Sequence, residues 1–176
     1  MCEIRKARSR AAEVGIERTL FVVDIENMVG KSELTIAEVA QTQVRIFNAV
    51  PHSEGDHVIL GFSHHNDEAA VFGWSGSAQR VMRSGEDGAD LALLESLENF
   101  ERVARLYETV VFASGDHFFS FAVARLKSLG CNVKVIAPDR GLSNQMRLAA
   151  GPGVVKLGSA FPAGVVQLLR NDKDAA

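Results

Sequence analysis

Three aspartates, Asp24, Asp90 and Asp116, stand at junctions between apolar and polar stretches. Asp24 ends "LFVVD", Asp116 follows "TVVFASG", and Asp90 closes "SGEDGAD" at the start of a long helical pattern. Carboxylates brought together repel, by roughly 4 kcal/mol for two charges about 4 Å apart at an effective dielectric near 20. Such a group either keeps a proton at a raised pKa or binds a cation. Oxygen ligands without clustered Cys or His suit Mg²⁺ or Mn²⁺ better than Zn²⁺. A hard cation held by Asp24, Asp90 and Asp116 turns water into a nucleophile and offsets charge on a phosphate. Each acid also has a plainer reading. Asp90 and Asp116 are suited to capping helices, and Asp24 to satisfying the amides of a turn.

What joins the three is the architecture that the remaining pattern predicts. Apolar runs at 19–23, 57–62, 80–82, 109–113, 132–137 and 154–157 read as strands. Between them, 35–50, 90–106 and 118–129 read as helices, the last closed by Gly130. The weakest zone is 64–78, whose two glycines argue against one long helix. Strands alternating with helices imply right-handed crossovers and a three-layer α/β/α sandwich around a mostly parallel sheet of five or six strands. Strands covered on both faces explain why "LFVV", "VVFA" and "VKVIA" are continuously apolar. In open sheets of this kind ligands bind beyond the carboxyl ends of the strands, where the three acids fall.

At 176 residues the chain fits one domain with a sizeable core, and 47% apolar content is ordinary for a globular protein. No apolar run approaches the roughly 20 residues that cross a bilayer, so no membrane role is expected. The first 19 residues lack the apolar stretch of a secretory signal. Cys2 and Cys131 form neither a disulfide framework nor a zinc spacing, and a reducing cytoplasmic setting is the expectation. The net charge of −3 argues against a protein that coats duplex DNA. Positive charge gathers in residues 1–18 at Arg5, Lys6, Arg8, Arg10 and Arg18, which read either as a solvated tail or as an arm for an anionic partner such as RNA. Residues 19–160 form the domain and 161–176 a tail.

Other residues could serve a site at the same edge. His117 adjoins Asp116 and is suited to donating a proton or contacting phosphate, as are His64 and His65 after the second strand. Arg140, Ser143 and Asn144 follow the fifth strand, where Arg140 could bind phosphate; the alternative is a loop with Ser143 as a helix cap. Trp74 could stack a base or simply pack, and Phe118, Phe119 and Phe121 read as core. "GPGVVKLG" lacks the Lys-Ser/Thr ending of a phosphate-binding loop. Asp24-Ile25-Glu26 is not the adjacent acidic pair of a phosphoaspartate receiver.

In order and spacing these motifs resemble the NYN family of PIN-like proteins. The resemblance covers roughly residues 19–157. It rests on Asp-x-x-Asn at Asp24 and Asn27, Gly-x-Asp followed by Leu at Gly88, Asp90 and Leu93, and Ser-Gly-Asp at Ser114, Gly115 and Asp116. "LKSLGCNVKVIA" and "LSNQMRLAA" resemble the family's approach to its fifth strand and its closing helix. The resemblance implies a divalent-metal ribonuclease that hydrolyses phosphodiester bonds, with single-stranded RNA as its substrate. It implies metal held by Asp24, Asp90 and Asp116, a ligand or water positioned by Asn27, and carboxylates oriented by Ser114. Three departures qualify it. Phe118 and Ser96 (beside Glu95) stand where the family often carries further acids, and Asp87 stands where a Lys commonly precedes the Gly-x-Asp. Fewer acids imply weaker metal binding, with one cation in place of two. They also keep open a member that binds RNA or a protein partner without cleaving. Whether the chain pairs with itself or with a regulatory protein, as a partner-controlled toxin would, is left open by the sequence.

Overall fold

The computed structural model describes residues 18–138 and 140–157. The expected basic extension at 1–18, apart from Arg18, and the tail at 161–176 lie outside the described residues. Six strands form one sheet: β1 (Thr19–Asp24), β2 (His57–Phe62), β3 (Gln79–Met82), β4 (Thr109–Ala113), β5 (Asn132–Ala137) and β6 (Val154–Lys156). All neighbours are parallel, in the order β3-β2-β1-β4-β5-β6. Among the described residues seven α-helices accompany them: α1 (Ile25–Val29), α2 (Ile36–Ala49), α3 (Asp67–Gly73), α4 (Gly88–Ser96), α5 (Phe100–Leu106), α6 (Ser120–Ser128) and α7 (Asn144–Ala150).

The strand order reverses between β1 and β4, which makes a crevice at their carboxyl ends. Side chains along β1 alternate in direction, and the two faces bury different sets. Leu20 and Val22 pack with Leu93, Leu97, Phe112 and Leu126, beneath α4–α6. Phe21 and Val23 pack with Ile25, Met28, Val39 and Ile46, beneath α1–α2. By the same alternation Asp24 belongs to the α4 side, and Ser114, in phase with Val110 and Phe112, joins it there.

The helix expected over 35–50 forms as α2, closed by a capping box: Glu38 N–H donates to Thr35 Oγ1 (3.3 Å) and Thr35 N–H to the Glu38 carboxylate (3.1 Å). The helix expected over 90–106 is instead two. Leu97 and Val103 are six residues apart, out of phase with a helical stripe, and Asn99 caps a new start by accepting from Arg102 N–H at 2.8 Å. The zone 64–78 holds a short 3₁₀ turn (His64–Asn66) and α3. Phe121, expected in the core, is 71% exposed on α6, whereas Phe119 is fully buried and Trp74 packs edge-on against Phe47.

One close approach sets α4 in place. A Cβ on Gly61 would lie 2.5 Å from the Leu93 side chain, so only glycine lets α4 settle this near β2. Asp90, one turn before Leu93, is thereby held over the end of β1.

Candidate functional site

Asp24, Asp90 and Asp116 line one cleft of about 230 Å³ at the carboxyl edge, together with Glu26, Asn27 and Asp87. Among the described residues, no lysine or arginine lines it. Asp24 is 5% exposed and caps α1: its Oδ1 accepts from Asn27 N–H (3.1 Å) and its Oδ2 from Ser114 Oγ (3.0 Å). Ser114 Oγ in turn accepts from Asp116 N–H at 3.2 Å. Asn27 Oδ1 accepts from Gly115 N–H at 2.9 Å and so ties α1 to the loop after β4. Asp116 Oδ1 accepts from Phe118 N–H (2.9 Å) and lies 2.8 Å from His117 Nδ1. Caps and ligands are thus not alternatives here. Asp24 and Asp116 each use part of the carboxylate as a cap and still line the cleft.

Asp90 is different. It sits in the first turn of α4, half-buried, and its Oδ1 is shut off from solvent with no hydrogen-bond partner. An orphaned buried carboxylate oxygen is costly unless something absent from the chain satisfies it. Burial, then the charges of Asp24, Asp116 and Asp87 and a hydrogen-bond contact with Asp24, push the Asp90 carboxyl up to about 7. Burial pushes Asp24 up to about 6, against the opposing bonds from Asn27 and Ser114 and with Glu26 and Asp116 adding to the rise. Without a cation the cleft thus answers the crowding of its carboxylates by holding protons to a higher pH than free carboxyls do. The oxygen-only donor set and the orphaned oxygen fit a hard divalent cation. Among the described residues, no three Asp, Glu, His or Cys side chains already stand in a ligating array. Mg²⁺ commonly uses one or two carboxylates and keeps several waters, which suits such an open arrangement.

Two further acids belong to this cleft. Glu26 is half-buried; its carboxylate accepts from Ser63 N–H (2.9 Å), Ser63 Oγ (2.8 Å) and Asn66 Nδ2. It braces the β1 and β2 ends, and its lone pairs are largely spent. Asp87 is exposed, at φ 53°, and occupies the N-cap position of α4 without accepting a capping bond, so its carboxylate remains open to the cleft. The signal for both was proximity to a strand-end or helix-start acid, which a string of letters does not separate from a turn.

The remaining sequence candidates are placed around the rim or apart from it. Arg140 is exposed in the turn after β5, and that turn lies against the Ser114–Asp116 loop: a Cβ on Gly115 would meet Gly141 O at 2.0 Å. Ser143 N–H donates to Gly115 O (2.9 Å) while its Oγ caps α7 by accepting from Met146 N–H (3.2 Å). Asn144 accepts from Arg147 at 3.4 Å. His64 is exposed, and His65 Nε2 contacts Ser32 O at 2.6 Å, so neither lines the acidic cleft. Phe118 is half-buried beside Phe119, and Ser96 Oγ donates to Ala92 O (3.0 Å) within α4. Comparison with protein-family models, with curated proteins and with solved structures finds no match for this chain.

Proposed function

We propose that the chain is a divalent-metal-dependent ribonuclease that cleaves phosphodiester bonds of single-stranded RNA, as a PIN-like protein of the NYN kind. The observation that carries the reading is the buried, unpartnered Asp90 Oδ1 in a cleft shared with Asp24 and Asp116. Asp24, Asp90 and Asp116 would hold Mg²⁺ or Mn²⁺, which supplies an activated water and offsets phosphate charge. Ser114 fixes the Asp24 carboxylate by donating to Oδ2, and also holds the Asp116 backbone. Asn27 serves by locking Gly115 and the β4 loop rather than by reaching into the cleft with its carbonyl oxygen, which is already engaged. Its amide nitrogen remains for a water or ligand. Arg140 and His117 stand on loops adjoining the Asp116 segment, suited to the backbone of a bound strand.

The test is cleavage of labelled single-stranded RNA with Mn²⁺ by the wild type and by Asp24→Asn. Cleavage by the wild type alone supports the reading, and equal cleavage by both points to a contaminant. A second reading is favoured by a specific observation: Phe118 and Ser96 fill, with a ring and a helix-bonded hydroxyl, positions where the family often carries acids. On that reading the chain binds RNA or a protein without cutting, and retained RNA binding without cleavage by the wild type would select it.

A further inference from the structure

A strand that carries apolar side chains on both faces needs cover on both. The crossovers of this sheet supply it unequally. Helices α1–α3 lie in the connections from β1 to β2 and from β2 to β3, and α4–α7 in those from β3 through to β6. Right-handed crossovers put the two groups on opposite faces, so α1–α3 are strung over the β3-β2-β1 half of theirs. On the other half of that face stand Val111 and Ala113 of β4, Ile136 of β5, Val155 of β6 and then Leu157. Val111 and Ala113 adjoin Phe21 and Val23 in β1 and share their cover. Ile136 and Leu157 lie farther out and are nevertheless 0% and 4% exposed. Among the described residues, no helix belongs to a crossover on that outer part of the face.

The place where the described chain ends points to what covers it. Strand β6 runs to the carboxyl edge, and Leu157, still bonded to Ala137 O, is buried with the residues of this face. The sequence that follows, "GSAFPAGVVQLLRNDKDAA", carries Phe161, Val165, Leu168 and Leu169 at the i, i+4, i+7, i+8 spacing of a helical stripe, with Pro162 suited to a first helical position. As a helix, 162–171 would span about 15 Å, against about 20 Å for the six residues of β5. Polarity matches along that length. Towards the amino edge the face turns polar through Thr109, Asn132 and Lys134, which alternate in phase with Val111 and Ile136. Lys134 is half-buried and joins no ion pair among the described residues. A segment that folds back from the carboxyl edge brings its own polar end, with Asp172 and Asp174, to that part. The amino-terminal stripe of Ile4, Ala7, Ala11 and Val14 is flanked by Arg5, Lys6, Arg8 and Arg10, which would set like charges against Lys134.

We propose that this face is the docking surface of the chain's own segment 161–171, which turns back at the carboxyl edge and lies as a helix over β5 and β6. Phe161, Val165, Leu168 and Leu169 then meet Ile136, Val155 and Leu157, and Asp172 or Asp174 meets Lys134. The proposal stands apart from the ribonuclease reading and survives its failure. The experiment is hydrogen–deuterium exchange of the full chain read by mass spectrometry, with zero-length carbodiimide crosslinking beside it. Amides of 165–171 are expected to exchange at least about a hundredfold more slowly than an unstructured chain, and a crosslink should join Lys134 to Asp172 or Asp174 within one chain. Leu168→Asp/Leu169→Asp is expected to abolish both signals and to lower the melting temperature by about 5 °C or more, because two leucines leave the core. Unprotected exchange at 165–171, absence of the crosslink, or a double variant with wild-type protection and melting temperature overturns the assignment. So does protection of 4–14 in place of 165–171, which would give the face to the amino-terminal segment. Crosslinks between isotopically distinct chains would give it to a second copy and overturn it likewise.

Discussion

At the carboxyl edge of the sheet five carboxylates (Asp24, Glu26, Asp87, Asp90 and Asp116) line a cleft with no cationic side chain among the described residues, while at the amino edge Asp56 and Glu95 already have partners within the fold. The same sheet therefore treats acids in two ways. At the amino edge they are structural: one receives backbone N–H groups and the other an exposed ion pair. At the carboxyl edge Glu26 is structural too, but Asp90 is held against its neighbours with an oxygen unsatisfied. Charge that a fold gathers and does not answer is where a ligand contributes most.

The comparison breaks most visibly if the two edges respond alike to loss of an acid. Asp24→Asn is expected to lower Mn²⁺-supported RNA cleavage by about a hundredfold or more, since it removes a proposed ligand rather than a supporting contact. Cleavage rates at saturating Mn²⁺ check this. Ser114→Ala comes next. It deprives Asp24 Oδ2 and Asp116 N–H of their partner and is expected to cost about 10- to 100-fold in metal affinity or activity, with about 1–2 kcal/mol of stability. A metal titration beside a urea melt separates the two effects.

Asp90→Asn sharpens the comparison through pH. Folded, Asp90 titrates near 7, and its ordinary value is 3.8. The metal-free folded state then holds a proton that the unfolded state releases, so this group's contribution to stability falls as pH rises through roughly that window. Removing the charge is expected to stabilise the metal-free chain at pH 7.5 by on the order of 1 kcal/mol after solvent screening, about 2–4 °C in melting temperature. The gain should shrink towards pH 4.5, which melting curves of both proteins in EDTA across that range would show. Glu95→Gln at the amino edge is the smallest case. Its pair with Arg83 is exposed, and stability should stay within about 0.5 kcal/mol at either pH.

How far the sequence reached follows from what each signal encodes. All six strands were legible to within a residue because continuous apolar runs such as 109–113 and 132–137 have no other cheap place to go than a doubly covered sheet. The break between α4 and α5 is marked by phase, since Leu97 and Val103 are six residues apart, and by Asn99, which accepts from Arg102 N–H and restarts the helix; a count of apolar residues over 90–106 shows neither. Phe121 was placed in the core on hydrophobicity alone, although its helix buries Ala122, Val123 and Leu126 instead. In the cleft, the strand-end positions of Asp24 and Asp116 were readable. The bracing of Glu26 by Ser63 and Asn66, some forty residues away, depends on β1 and β2 lying side by side, which no local pattern reveals.

The central claim is that Asp24, Asp90 and Asp116 form one pocket for a hard cation, and Mn²⁺ binding at pH 7.5 tests it most directly. Titration of the wild type and Asp90→Asn, followed by electron paramagnetic resonance, should show a saturable site in the wild type that the variant weakens by tenfold or more. Equal binding by the two proteins, or no saturable site in the wild type, would contradict it.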